Sequence, residues 1–162
     1  MAFRPIISLI SILCLILLVA LPAHACFGPK LFVGVGQEAQ EEVLFALVTL
    51  YVQEKTGVES NRVDVAKTQR PVDLITDDKV DLVFIAANEA ASDVVFQIPG
   101  RPSLATGPRP MEDLQFTTVL PAIRKLNRLL TGADVDSLVS QVEAGESAMA
   151  AARKFLMKNR WI

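Results

Sequence analysis

Histidine and cysteine are almost missing from this sequence. His24, Cys14 and Cys26 are the only copies, and all three fall within the first 26 residues. The chain from residue 27 onward therefore has no material for a Ser–His or Cys–His catalytic arrangement. It has no His/Cys set for a metal and no pair of thiols for an internal disulfide. Carboxylate pairs such as Asp77-Asp78 and Asp134/Asp136 are spaced as helix caps and solvated surface, where such residues ordinarily lie. No catalytic residue, metal or cofactor is expected. Positive charge is not in excess either: 16 Lys and Arg stand against 18 Asp and Glu. That balance gives no electrostatic footprint for nucleic acid. There is no internal repeat and no low-complexity run.

What is abundant is aliphatic, and the first such run stands apart. Arg4 supplies a positive charge, Ile6 to Leu21 form a long apolar stretch, and Pro22 leads into Ala23-His24-Ala25. Charge, apolar run and small-x-small site make up a secretory signal peptide over residues 1–25. The run is short for a membrane span. Removing it takes away Arg4 and leaves 15 basic residues against 18 acidic, a net charge of −3. The expected location is periplasmic or elsewhere in the cell envelope. Residues 26–29 form an N-terminal linker opened by Cys26. Two readings of Cys26 stand: acylation as a lipoprotein, with Ala23 and His24 departing from the usual pattern, or a free thiol after ordinary cleavage. Acylation would be the chain's one tie to a membrane.

From Lys30 the pattern is that of an α/β domain extending to Ile162. Leu31–Val35 is short, apolar and ended by glycine, as in a buried strand. Gln37–Lys55 reads as a helix, with Glu38, Glu41 and Glu42 at its start and Lys55 and Gly57 at its end. Its run Val43 to Val52 is apolar all round, so it needs cover from more than one side. Arg62–Lys67 is a second strand, Pro71 opens a short helical turn, and Val80–Ala86 is a third strand. Strands alternating with helices predict a mostly parallel sheet, with Val94–Ile98 a fourth strand at or near an edge. Pro99 to Pro110, with four prolines and two glycines, predicts an extended loop. Three helices follow, beginning near Thr118, Asp134 and Glu146, and Trp161 is expected to pack on the domain.

Two positions draw attention as sites. Gly34-Val35-Gly36-Gln37-Glu38-Ala39 fits G-x-G-x-x-A between a strand and a helix. Yet Glu38 puts a negative charge where a phosphate would sit, and no acidic residue ends the second strand to hold a ribose. A tight strand-to-helix turn is the simpler reading. Asn88 and Glu89 follow the third strand, at the carboxyl end of the sheet where open α/β folds place ligands. The alternative is a polar loop start that caps the next helical turn.

Two blocks give this order of elements a family likeness. "KLFVGVGQEAQEEVLFALVTLYVQEKTGV" through "VDLITDDKVDLVFIAAN", and "LPAIRKLNRLLTGADVDSLVSQVEAGESAMAAARKFLMKNRWI", together cover most of residues 30–162. They resemble the substrate-binding proteins of ABC importers, of the glycine betaine/choline (quaternary-amine) type. The resemblance implies a three-layer α/β/α, periplasmic-binding-protein-like single lobe. It also implies transport rather than enzymatic work, with Gly36, Gln37, Glu38, Asn88 and Glu89 facing the ligand. A small cationic or zwitterionic solute, a quaternary amine or an amino acid, would bind weakly or with help. The implied partners are an importer permease or a second-lobe chain. Family members are longer and carry a second lobe between the two blocks. Their cation cages are aromatic, whereas the loops at Gly36–Glu38 and Ala86–Glu89 hold no aromatic residue. The reading from another class is a one-lobed structural or interaction module that has lost transport.

Overall fold

In a computed structural model, residues 28–162 are described, apart from Asn88, Ala90 and Ser92. The expected signal peptide over residues 1–25, Cys26 and Asn88 lie outside the described residues. Strand β1 (Lys30–Val35) leads into helix α1 (Ala39–Thr56), followed by β2 (Glu59–Asp64), α2 (Pro71–Thr76) and β3 (Leu82–Ile85). Then come β4 (Val94–Phe96), β5 (Ser103–Thr106), α3 (Arg109–Glu112), a 3-10 turn (Leu114–Phe116), α4 (Val119–Leu129), α5 (Gly132–Glu143) and α6 (Ala148–Lys158).

The five strands form one open sheet in the order β2-β1-β3-β5-β4. β1 lies parallel to both β2 and β3, while β5 runs antiparallel to β3 and to β4. The sheet is thus mixed, evenly divided between the two kinds of pairing, and parallel strands do not dominate it as the sequence pattern implied. The difference arises within Pro99–Pro110. Instead of a continuous loop, this segment contains β5 and the start of α3. Ser103–Thr106 pairs along its length with Ile85–Leu82 and is fully buried. Prolines at positions 99, 102, 108 and 110 bracket the strand rather than interrupt it, which leaves its N–H groups free to join the ladder.

Helices cover both faces. Leu31, Val33 and Val35 point to one side with Leu82, Phe84 and Leu104, beneath α1 and the three C-terminal helices. Val83, Ile85 and Ala105 point to the other, where Leu74 of α2 and Val65 join them. The period-2 alternation of β3 explains why all four of its residues are buried: each face has its own core. α1 is buried continuously from Val43 to Val52 apart from Phe45, which is half-buried. Sheet, α4, α5 and α6 surround it. Gly57 ends it in the left-handed region (φ 75°), donating its N–H to the Gln53 carbonyl, which is the use to which a helix-terminal glycine is suited.

Several boundaries differ from those the pattern suggested. β2 is Glu59–Asp64 rather than Arg62–Lys67, because its register is fixed by pairing Lys30 with Glu59 through Val35 with Asp64. α5 begins at Gly132, where Thr131 and Asp134 form a reciprocal capping box. α6 starts after Ser147, whose hydroxyl accepts from the Ala150 N–H. Thr118 does precede α4, but its side chain makes no capping hydrogen bond. At the C-terminus Trp161 packs edge-on against Phe155, with ring centroids 5.3 Å apart and planes at 86°. No helix of the described residues is long and apolar enough to cross a membrane.

Candidate functional site at the carboxyl edge of the sheet

β1, β2 and β3 run in the same direction, so Val35, Asp64 and Ile85 end at one edge of the sheet. From β1 the chain passes through α1 on one face to β2, which lies on one side of β1. It then passes through α2 on the opposite face to β3, which lies on the other side. β1 and β3 are therefore the neighbours at which strand order reverses, and the carboxyl end of such a pair opens a crevice. The antiparallel hairpin contributes to the same edge. β4 ends and β5 begins there, so the turn over residues 97–102 stands beside the end of β3.

A groove of about 380 Å3 runs along this edge. Gly36, Gln37, Glu38 and Glu89 line it, so four of the five expected site residues come together; Asn88 is the one outside the described residues. Lys67 and Gln69, from the connection after β2, form the opposite wall. Neither Lys67 nor Glu38 forms an ion pair with another described residue, which leaves both free for a partner. A second groove of about 450 Å3 lies on the other side of the Glu38 and Glu41 ridge. It is bounded by Ala86 and Ala87, by Gly100, Arg101 and Pro102 of the hairpin turn, and by Val139 and Glu143 of α5.

Glu41 borders both grooves, and its environment is unusual. A Cβ placed on Gly36 would fall on its carboxylate, so glycine at 36 is what lets the carboxyl group tuck under the β1–α1 turn. Its Oε2 is buried and has no hydrogen-bond partner among the described residues. Burial raises the Glu41 pKa; the Gly36 amide acts against this, and the neighbouring Glu38 and Glu42 charges reinforce it. Glu42 is handled differently. Arg62 of β2 reaches its Oε2 at 2.6 Å, contacts Asp64 at 2.5 Å and donates to the Gly36 carbonyl at 3.1 Å. Burial alone would lower the Arg62 pKa, but its hydrogen bonds to Asp64 and Glu42 outweigh this and keep the guanidinium charged. The clasp pins the start of α1 to β2 and fixes the floor beneath Gly36.

Arg101 is held in a comparable way at the hairpin turn. It pairs with Asp136 of α5 through one terminal nitrogen and donates to the Gly100 carbonyl at 3.2 Å through the other. Its Nε is buried without a partner among the described residues. The Glu38 side chain makes no capping bond to α1, so it projects at the junction of the two grooves.

Glu41, Lys67, Gln69, Arg101 and Glu143 are groove residues that sequence reasoning did not reach. Lys67 and Gln69 follow the second parallel strand as Gln37 and Glu89 follow the first and third, so the same positional logic would have found them. Arg101 and Glu143 carry no such signal, since they meet the edge only through the antiparallel hairpin and α5. No group of three or more His, Cys, Asp or Glu side chains among the described residues is placed to hold a metal ion.

No family model, curated protein or solved structure matches the chain. What the site does must be argued from its own geometry.

Proposed function

We propose that this chain is an exported, non-enzymatic solute-binding domain, a periplasmic-binding-protein-like single lobe of the kind that serves ABC importers. The observation that carries the reading is the convergence on one edge of the segments that follow three parallel strands, β1, β2 and β3. Gly36–Glu38, Lys67–Gln69 and Glu89 present unpaired polar groups to one groove at the point where strand order reverses. The acidic side chains suit a small cationic or zwitterionic solute. The lack of histidine and cysteine over residues 27–162 supports binding rather than chemistry.

The hairpin supports the one-lobe part of the reading. In the resembled family a second lobe lies between the two similar blocks, whereas here that interval holds β4, the turn over residues 97–102, β5, the short α3 and the 3-10 turn. The turn stands at the groove, where a second lobe would close over ligand. An open groove buries less of a solute than an enclosed pocket, so affinity is expected to be weak unless a partner covers it. A permease or a separate second-lobe chain is the partner proposed for that task, and acylated Cys26 the proposed anchor.

Isothermal titration of the chain with amino acids, betaines, choline and polyamines tests this. Saturable heat from at least one is expected, and none from any of them would end the proposal. The competing reading, a structural module that has lost transport, calls for an uncovered apolar patch at this edge. Both grooves instead mix small apolar side chains with charged and polar ones, Glu38, Lys67 and Glu89 in one and Glu38, Arg101 and Glu143 in the other. None of the exposed large apolar side chains Phe32, Val94, Met111, Leu114, Met149 and Met157 lines either one.

A further inference from the structure

Resting on the solute-binding reading, we infer that the ligand is a zwitterion with a primary ammonium group, an amino-acid-like molecule. A quaternary amine is not what this edge is built to hold. A quaternary ammonium has no N–H to donate, and proteins hold it against aromatic faces. No aromatic residue lines either groove, and the sequence from Ala86 to Asp93 contains none. What the edge offers instead is hydrogen-bonding charge of both signs.

Three polar side-chain atoms among the described residues are buried with no partner: Glu41 Oε2, Arg101 Nε and Thr49 Oγ1. Thr49 lies in the interior of α1, but Glu41 and Arg101 border the same 450 Å3 groove. An unsatisfied buried polar group is uncommon and calls for an explanation. Here one orphan is a carboxylate oxygen and the other a guanidinium N–H. An ammonium carries three N–H donors and no acceptor, and a carboxylate only acceptors. A molecule bearing both, a few bonds apart, supplies what each orphan lacks. Both atoms are covered in the ligand-free chain, so binding requires each side chain to turn its orphan atom into the groove, with Arg101 anchored by Asp136 and Gly100 and Glu41 lying against Gly36. Glu38 and Glu143 extend the acidic side of the same groove, and Arg101, 23% exposed, is the one cation in it.

Matched pairs of ligands test the inference. The chain, expressed from its full sequence and purified, is titrated with glycine and alanine, with their N-trimethyl forms, with choline, and with the other protein amino acids. At least one amino acid is expected to bind, and the N-trimethyl forms to bind roughly tenfold more weakly or not at all. Arg101→Gln and Glu41→Gln should each weaken the amino acid by a similar factor, with Arg101→Lys falling between because it keeps charge but loses the fork. Unfolding midpoints close to the parent's establish that the variants fold. Should one fail to fold, the ligand pairs still decide the matter on the unaltered chain. Equal or tighter binding of the trimethylated compounds or choline overturns this inference while leaving solute binding intact. Amino-acid binding that neither Arg101→Gln nor Glu41→Gln affects also overturns it. Silence from every compound overturns the solute-binding reading itself, and this inference falls with it.

Discussion

The C-terminal helix offers a sharp test of how the core is built. α1 is buried on every side, and α6 supplies part of that cover through Ala151, Ala152 and Leu156, all essentially inaccessible. Phe155 and Trp161 sit differently. They pack edge-to-face on each other and only partly enter the core. The consequences should therefore be graded. Leu156→Ala removes a fully enclosed side chain from a helix held against its neighbours, and such changes cost about 2–5 kcal/mol. A value near the middle of that range would lower the melting temperature by roughly 10 °C in a chain of this size. Trp161→Ala removes a larger side chain, but one that lies at the margin, so about 1–2 kcal/mol is expected. Ending the chain at Gly145 removes all of these and strips cover from α1. That loss approaches the 5–15 kcal/mol by which domains of this size are stable, and aggregation rather than a smaller folded unit should result. Urea denaturation followed by circular dichroism gives the first two differences, and size-exclusion chromatography the third. The core is misplaced if Leu156→Ala costs under about 1 kcal/mol, or if the truncated chain melts cooperatively as a monomer.

Four further outcomes follow from single side chains. Glu41 has a folded-state pKa raised above the ordinary 4.5, chiefly by burial, so the folded state holds its proton at pH values where the unfolded chain has lost it. Stability conferred on the parent by acid should decline as pH rises through 4.5 toward the folded value; Glu41→Gln should thus be the more stable protein at neutral pH, and this advantage should vanish in melts below about pH 4. Thr49→Val replaces a buried hydroxyl that has no partner with a methyl of similar shape, and should raise stability by about 1 kcal/mol in chemical denaturation. Asp81, 5% exposed, accepts from the Phe32 N–H at 2.7 Å and from Arg109 at 2.9 and 3.0 Å. Asp81→Ala would strand the Phe32 amide and should cost about 2–4 kcal/mol, less than a fully enclosed ion pair because Arg109 is half in solvent. Gly36→Ala should push the Glu41 carboxyl out of its recess, with the fold retained and solute affinity altered, which titration calorimetry would read directly.

How much of this was legible in the sequence depended on the distance over which each feature is specified. β1, α1 and β3 carry their own signals: an apolar run closed by glycine, acidic residues ahead of a long apolar stretch, and a strand apolar on both faces. β2 does not, since its exposed and half-buried residues make no clean alternation and its limits come from the ladder with β1. β5 is the extreme case. Ser103-Leu104-Ala105-Thr106 is too short and too close to proline to declare itself, and becomes a strand only because β3 and β4 offer edges on either side. The candidate site divides along the same line. Residues at the carboxyl ends of parallel strands can be found by counting along the chain, which is how Gly36, Gln37, Glu38 and Glu89 were reached. Arg101 arrives on the antiparallel hairpin, fixed by Asp136 from a helix 35 residues further on. Nothing near it in the sequence marks it as lining the same groove as Glu41. The charge of that wall, and with it the class of solute the groove would take, is set by tertiary structure alone.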